Sequence, residues 1–304
     1  MKVIADDLWF PEGPVWLGDG SLLVVEIRRQ TLTRVWLDGR KQIIAHLGGG
    51  PNGAALGRDG YCYVANNGGV QFIQREDGCW ISGGVPESYA GGSIQRVDIR
   101  TGKYEVLYDS VSGRPILGAN DIVFDRHDGF WFTDPGKSRK RDSDHGSVCY
   151  AKADGSSARE VIFPIHKPNG VGLSGDGRTL YVAETDTAKL WAWSLKAPGE
   201  LSAPVRPSPD SPHGGRLVYG WPTYARFDSL AVDANGNINV ATLDRGGITV
   251  CAPTGGSAKF VAVQGDTHVT NLCFSEPSQD KAYVTQSYAG RLVEIDWPPC
   301  QLTG

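Results

Sequence analysis

Phe227-Asp228-Ser229-Leu230-Ala231-Val232-Asp233-Ala234-Asn235-Gly236-Asn237-Ile238-Asn239-Val240-Ala241 reads as two apolar strands joined by a turn, with one acid at the head of the first strand. Asn-Gly between β-type runs is the strongest short hairpin signal, because a type I′ turn needs positive φ at both central residues. The phrase recurs along the chain. Asp19-Gly20, Asp59-Gly60, Asp128-Gly129 and Asp176-Gly177 sit between similar runs, and the polar stretch Ser278-Gln279-Asp280 takes the place of a sixth turn. The strands after the turns are 21–25, 61–65, 130–133, 179–183, 237–241 and 281–285. Third strands are expected over 33–37, 93–97, 148–151, 190–193, 247–251 and 291–295. No useful window carries a helical period.

Ahead of the turns stand single oxygen-bearing residues in one phase: Glu12, Asn52, Asn120, Asn169, Asp228 and Asn271, separated by 40, 68, 49, 59 and 43 residues. Units of about 40 residues with four strands each are the signature of propeller blades. The chain is therefore expected to be all-β, a six-bladed β-propeller with four-stranded blades, forming a single domain over residues 1–304. Val3, Ile4 and Leu8 are expected to supply the outer strand of the last blade and close the ring. The extra length falls in 68–92 and 197–226, both expected at the marker end or the outer edge as lids over the channel mouth. A third loop, 135–146, reads as charged and solvated.

The first strand of each blade lines the channel, so the six markers should face one point. Two carboxylates (Glu12, Asp228) and four amides (Asn52, Asn120, Asn169, Asn271), with neither imidazole nor thiolate, suit a hard divalent cation. Ca²⁺ ranks first, with Mg²⁺, Mn²⁺, Zn²⁺ or Fe²⁺ as alternatives. Any one such residue is explained as well by a local turn cap, but solvated caps have no reason to share a register. Two buried carboxylates without a cation would repel, and the amides would lack partners.

Composition narrows the remaining classes. A net charge of −4 without a basic stripe argues against nucleic acid. No apolar run reaches the roughly 18 residues of a membrane helix. Met1 to Phe10, with Asp6 and Asp7, does not read as a secretory leader, so a cytoplasmic site is expected. Cys62, Cys79, Cys149, Cys251, Cys273 and Cys300 form no CxxC pair and read as small apolar residues. Gly170 to Gly175 matches GxGxxG but lies in a strand and hairpin, where the dinucleotide motif has no helix to open. Asp142-Ser143-Asp144-His145 begins like an EF-hand loop but has Ser147 and Ala153 where Gly and Glu are needed.

The runs Phe10-Pro11-Glu12-Gly13-Pro14-Val15-Trp16, Ala119-Asn120-Asp121, Lys167-Pro168-Asn169-Gly170 and Phe227-Asp228-Ser229-Leu230-Ala231 resemble the SMP-30/gluconolactonase family over nearly the whole chain. The resemblance implies a six-bladed propeller and a metal-dependent lactonase acting on a small lactone, with organophosphate hydrolysis known among relatives. It implies Glu12, Asn169 and Asp228 as metal ligands, Asn120 at the metal or the substrate, and Asp228 as general base. Asn52 and Asn271 then fall to substrate contact, with Asn120 also placed to steady an oxyanion. Asp121 and Asp134 are alternative proton acceptors, but both read first as structural acids, since acids at strand ends commonly bond nearby backbone N–H groups. Sugar-lactone members often carry Arg two residues before the third-blade Asn, whereas Gly118 stands there in this chain and Arg114 is out of register. Trp9, Phe10, Trp16 and Phe227 hint at a less polar substrate. The other readings are a phosphotriesterase-like hydrolase, a non-catalytic propeller around a structural ion, and a metal-independent strictosidine-synthase-like enzyme.

Overall fold

The computed structural model describes residues 1–76, 78–204 and 206–297, and Cys300 lies outside them. Six antiparallel sheets stand around an axis, and they are numbered here as blades in the order of their inner strands. The inner strands are Pro11–Trp16, Pro51–Leu56, Ile122–Phe124, Pro168–Leu173, Arg226–Val232 and Val269–Phe274. They touch in sequence order, and the last touches the first, which closes the ring.

The second strands explain why the sequence reads as continuous apolar runs rather than alternating ones. Ser21–Glu26, Gly129–Asp134 and Ile238–Leu243 are buried at every position, because each blade packs a neighbour on both faces. Six apolar clusters fill the six gaps between blades. One joins Leu23, Val25 and Leu32 of blade 1 to Cys62, Val64 and Val97 of blade 2. Another joins Trp131 and Tyr150 of blade 3 to Leu180, Val182 and Trp191 of blade 4. Outer strands such as Lys41–His46 and Ala258–Ala262 are largely exposed.

Closure occurs where the apolar start of the chain predicted it. Lys2–Ala5 pairs antiparallel with Arg291–Asp296 as the outer strand of blade 6. Ile4, Ala5 and Leu8 pack with Leu292 and Tyr283 of blade 6 and with Leu22 and Val24 of blade 1. The first and last parts of the chain thus share one sheet.

Two expectations need correction. None of the five Asx-Gly turns is type I′, which needs positive φ at both central residues. Gly20, Gly60, Gly177 and Gly236 have positive φ without the Asx residues beside them, and Asp128 has it without Gly129. The loops are longer than two residues, as shown by Leu17 N–H donating to Ser21 O and Asp233 N–H to Asn237 O. The Asx side chain accepts from the backbone after the turn instead, as Asp59 Oδ1 does from Tyr61 N–H at 3.1 Å. The second correction concerns 197–226. Most of it lies on the outer edge of blade 4, where Arg216–Gly220 pairs with Lys189–Ala197, so it completes a blade rather than covering the channel. The 68–92 insertion does rise from the marker end, as a hairpin of Gln71–Gln74 and Trp80–Gly84.

Because Ile4 fills the closing cluster while Val3 is exposed, Ile4→Ala should cost about 2–4 kcal/mol and Val3→Ala under about 0.5 kcal/mol, measured by urea unfolding. Equal losses from the two would show that this strand does not hold the ring shut.

Candidate metal centre

The inner strands carry an irregularity where the markers lie. Pairing register shifts between Glu12 and Val15, Pro51 and Gly53, Pro168 and Val171, Phe227 and Leu230, and Val269 and Asn271. A bulge puts an extra residue on one strand and re-aims its side chain, which turns a strand-edge residue toward the axis. In blade 3, Asn120 and Asp121 precede the regular strand and are tied to it through Asn120 N–H on Thr133 O and Thr133 N–H on Asp121 O.

Glycines after three of the markers let the strands converge. A Cβ at Gly13 would stand 2.8 Å from Ala54 N, one at Gly53 2.4 Å from Asn120 O, and one at Gly170 2.6 Å from Leu230 N. No side chain fits at those separations, so the backbone beside Glu12 meets that of Asn52, and Asn169 meets Asp228.

Glu12, Asn52, Asn169, Asp228 and Asn271 are all buried, and Asn120 is half-buried. Burial and the nearby Asp228 carboxylate push the Glu12 carboxyl well above its usual range, against hydrogen bonds from Thr270, Asn271 and the Gly13 N–H. Asp228 is raised too, by burial above all, while the Asn169 amide and Arg226 pull it down and Asp121 pushes it up. The structure therefore joins Glu12 to Asp228 electrostatically, Asn169 to Asp228 and Asn271 to Glu12. Asn120 Oδ1 is buried and has no hydrogen-bond partner.

Asn271 Oδ1 accepts from Leu272 N–H at 2.7 Å, as Glu12 Oε2 accepts from Gly13 N–H at 3.2 Å, and the Asn271 side chain bonds Glu12. Among the described residues no group of three or more His, Cys, Asp or Glu is placed to hold a metal ion; the axis offers two carboxylates completed by amide oxygens. That donor set fits a hard divalent cation, since two buried carboxylates supply its charge and Asn120 Oδ1 lacks a partner.

The alternative acids differ. Asp134 accepts N–H groups of Leu117 at 2.8 Å and of Gly118 at 2.8 Å, one on each oxygen, and of Gly136 at 3.0 Å, which makes it a brace for the loop entering blade 3. It belongs to a second polar series at the ends of the second strands, which the reading from sequence missed. Glu26 accepts from Trp9 N–H, Asn66 from Gly50 N–H and Glu184 from His166 N–H. The signal was present, since Glu26, Asn66 and Asp134 each follow a marker by fourteen residues. Asp121 Oδ1 accepts from Ile122 N–H at 2.9 Å and Oδ2 from Val171 N–H at 3.2 Å, yet burial still lifts it to about 7. It lines a cavity of about 240 Å³ below the ring with Val123, Leu173, Leu230 and Val232.

The positions two residues before the markers are Phe10, Gly50, Gly118, Lys167, Arg226 and Val269, of which Val269 is core between blades 5 and 6. A Cβ at Gly118 would stand 3.0 Å from Gly136 O, so a side chain there would need the neighbouring loop to shift slightly. Arg226 is held by both oxygens of Asp244 at 2.9 Å. Lys167 Nζ donates to Pro135 O at 3.1 Å. Of the aromatics expected near the mouth, Phe227 is core between blades 4 and 5 and Trp16 stacks on Tyr283. Phe10 alone lies beside the ring, and Trp9 covers Arg28. His268 is buried against Tyr288, 3.8 Å away in a parallel stack. Burial, helped by Arg226, holds it neutral with a pKa of about 3.

The chain belongs to the SMP-30/gluconolactonase/LRE-like family, whose model matches residues 10–288. It is 25% identical to a gluconolactonase of Zymomonas mobilis over 92% of this chain and 77% of that protein. A protein named lactonase drp35 from Staphylococcus haemolyticus is 26% identical over 81% of this chain and 67% of its own length. A diisopropyl-fluorophosphatase of Loligo vulgaris is 27% identical over 64% and 62%. The fold matches a Xanthomonas campestris gluconolactonase structure with TM-score 0.74 at 21% identity, covering 97% of this chain and 89% of that one. It also matches a calcium-binding protein, regucalcin, of Agrobacterium tumefaciens with TM-score 0.75 at 18% identity, covering 97% and 92%.

Without a cation, the folded protein keeps the Asp228 proton up to about pH 8, whereas the unfolded chain releases it near pH 4. Stability of EDTA-treated protein should therefore fall as pH rises across that window. Ca²⁺ should restore it above pH 7, and Asp228→Asn should abolish the Ca²⁺ effect and lessen the pH dependence, the remainder coming from Glu12 and Asp121. Thermal melts from pH 5 to pH 9 with and without Ca²⁺ read all three.

Proposed function

We propose that this protein is a divalent-cation-dependent lactonase, with Ca²⁺ the best-fitting ion, opening a small lactone to its hydroxy acid. The observation that carries the reading is the burial of Glu12 and Asp228 together at the axis, beside the unpartnered Asn120 Oδ1. Relatives named gluconolactonase and lactonase support the reaction class. The name of the regucalcin structure supports the ion.

Glu12, Asn169 and Asp228 would hold the cation, with Asn120 as a further oxygen ligand or as substrate contact. A hard cation bound there would polarise the lactone carbonyl and lower the pKa of a nearby water. The chain's own groups handle the proton. Asp228 receives it from the water as the oxygen bonds to the carbonyl carbon, while the Asn169 amide holds the carboxylate in place. The Asn120 amide N–H faces the oxygen on which negative charge develops. The ring C–O bond then breaks, and the proton passes to the departing ring oxygen. Asn52, buried beside Gly13, bounds the substrate on the blade 2 side. Asp134 has both oxygens occupied by backbone donors and is a brace rather than a base.

A second reading rests on the diisopropyl-fluorophosphatase relative: the same ring would accept a phosphoryl oxygen in place of a carbonyl. A pH-stat panel of lactones beside a phosphotriester, run on EDTA-treated protein re-supplied with Ca²⁺, Mg²⁺, Mn²⁺, Zn²⁺ or Fe²⁺, separates the two. Lactone turnover restored by Ca²⁺ is expected. Turnover unaffected by EDTA would remove the cation from the mechanism.

Asp228→Ala should lower kcat by about 100-fold or more, the contribution of a positioned general base. Asp134→Ala should instead cost about 1–3 kcal/mol of stability by leaving buried N–H groups unpaired, with turnover per folded molecule retained. A reversal of these two phenotypes in paired kinetics and melts would reassign the base.

A further inference from the structure

Resting on the lactonase reading, we propose that the 68–92 hairpin is a specificity element. Phe72, with Phe10 and Tyr288, forms an aromatic seat beside the ring for an apolar, preferably aryl, substituent of the lactone.

The hairpin does not stand free of the mouth. It leaves blade 2 through Gly68 and Gly69 and returns through Gly91 and Gly92; φ is positive at Gly68, Gly69 and Gly91. From that base it leans over blade 1. The Phe72 ring lies 5.1 Å from Phe10, and Phe10 in turn lies 5.8 Å from His268 and 6.1 Å from Tyr288. Phe10 is two residues before Glu12, and His268 is three before Asn271, so the cluster overhangs one side of the candidate cation site. A second contact latches the hairpin. The Arg28 guanidinium lies 4.3 Å from the Trp9 ring and 4.2 Å from the Trp80 ring, a cation held between two indole faces.

Phe10 has φ of +61°, a conformation that bulky side chains avoid. The backbone is fixed there by Ile27 N–H on Phe10 O at 3.1 Å and by Trp9 N–H on Glu26 Oε2 at 2.7 Å. Strain retained beside a site marks a side chain placed for what it meets. Between the hairpin and the rims of blades 5 and 6 runs an open cleft of about 640 Å³, lined by Tyr288 together with Arg75, Arg245, Gln264, Asp266 and Thr267. Tyr288 therefore faces both this approach and the aromatic cluster. His268, stacked beneath it and uncharged, adds a flat face rather than a cation. An aryl ring seated here gains offset or edge contacts with Phe10 and Phe72, with Arg226 bonded to Tyr288 at the border of the seat.

The test compares γ-butyrolactone, γ-phenyl-γ-butyrolactone and glucono-1,5-lactone with Ca²⁺-loaded protein. Wild type should favour the phenyl lactone over the unsubstituted ring by about tenfold or more in kcat/KM. Phe72→Ala should reduce that ratio about tenfold, mainly through KM, and Phe72→Trp should restore it. Trp80→Ala, which releases the latch from the other end, should move the ratio in the same direction. Calorimetric binding of 4-hydroxy-4-phenylbutyrate supplies a readout without turnover, and Phe72→Ala should weaken it. Lactone turnover with an unchanged ratio in both variants, or preference for the glucono lactone, overturns the seat. Binding that depends on Phe72 without hydrolysis of any lactone keeps the seat and overturns the lactonase reading. Neither binding nor hydrolysis overturns both.

Discussion

At the axis the inner strands pass so close that a methyl group would not fit, and that crowding governs the rest of the molecule. Gly13 meets Ala54, Gly53 meets Asn120, and Gly170 meets Leu230 with no room for a Cβ. Convergence of this kind requires a closed ring. The ring in turn depends on the short strand Lys2–Ala5, which pairs with the far end of the chain. Six apolar clusters, one in each gap between blades, hold the strands in place.

Convergence brings an electrostatic cost. Glu12 and Asp228 are buried together, and both resist ionisation, chiefly because burial removes water from them. Side-chain amides and hydroxyls soften the conflict: Asn169 bonds Asp228, while Asn271 and Thr270 bond Glu12. A partnerless carbonyl oxygen at Asn120 remains. A single hard divalent ion would answer all of these features at once, which is why the metal reading rests on the chemistry of the donors rather than on any single residue.

Around this ring the protein separates support from contact. Glu26, Asn66, Asp134 and Glu184 spend their oxygens on backbone N–H groups at the entries to the inner strands. They position the markers without touching the centre. The wall of the mouth is uneven: Phe10 clusters with His268 and Tyr288, and Arg226 stands close to both of those rings. The hairpin of blade 2 leans over the aromatic side and is latched there by Arg28 between Trp9 and Trp80.

Local sequence determined the repeat, the strands and the candidate ligands, because strand periodicity, Asx-Gly turns and a fixed phase are properties of short stretches. Val3, Ile4 and Leu8 even revealed the closing strand. Other features depended on how distant stretches meet. The turns were misjudged because an Asx-Gly pair serves a longer loop as well as a two-residue one, and the loop length is set by strand pairing. Residues 197–226 read as a lid, yet the edge of blade 4 left open by the short Glu200–Leu201 strand took up Arg216–Gly220. Asn271 shares the phase of the other markers, and its local bond to Leu272 N–H became visible only in the folded strand. Only the packed ring shows which oxygens are already occupied, because each hydrogen-bond partner is supplied by local backbone geometry or by another blade.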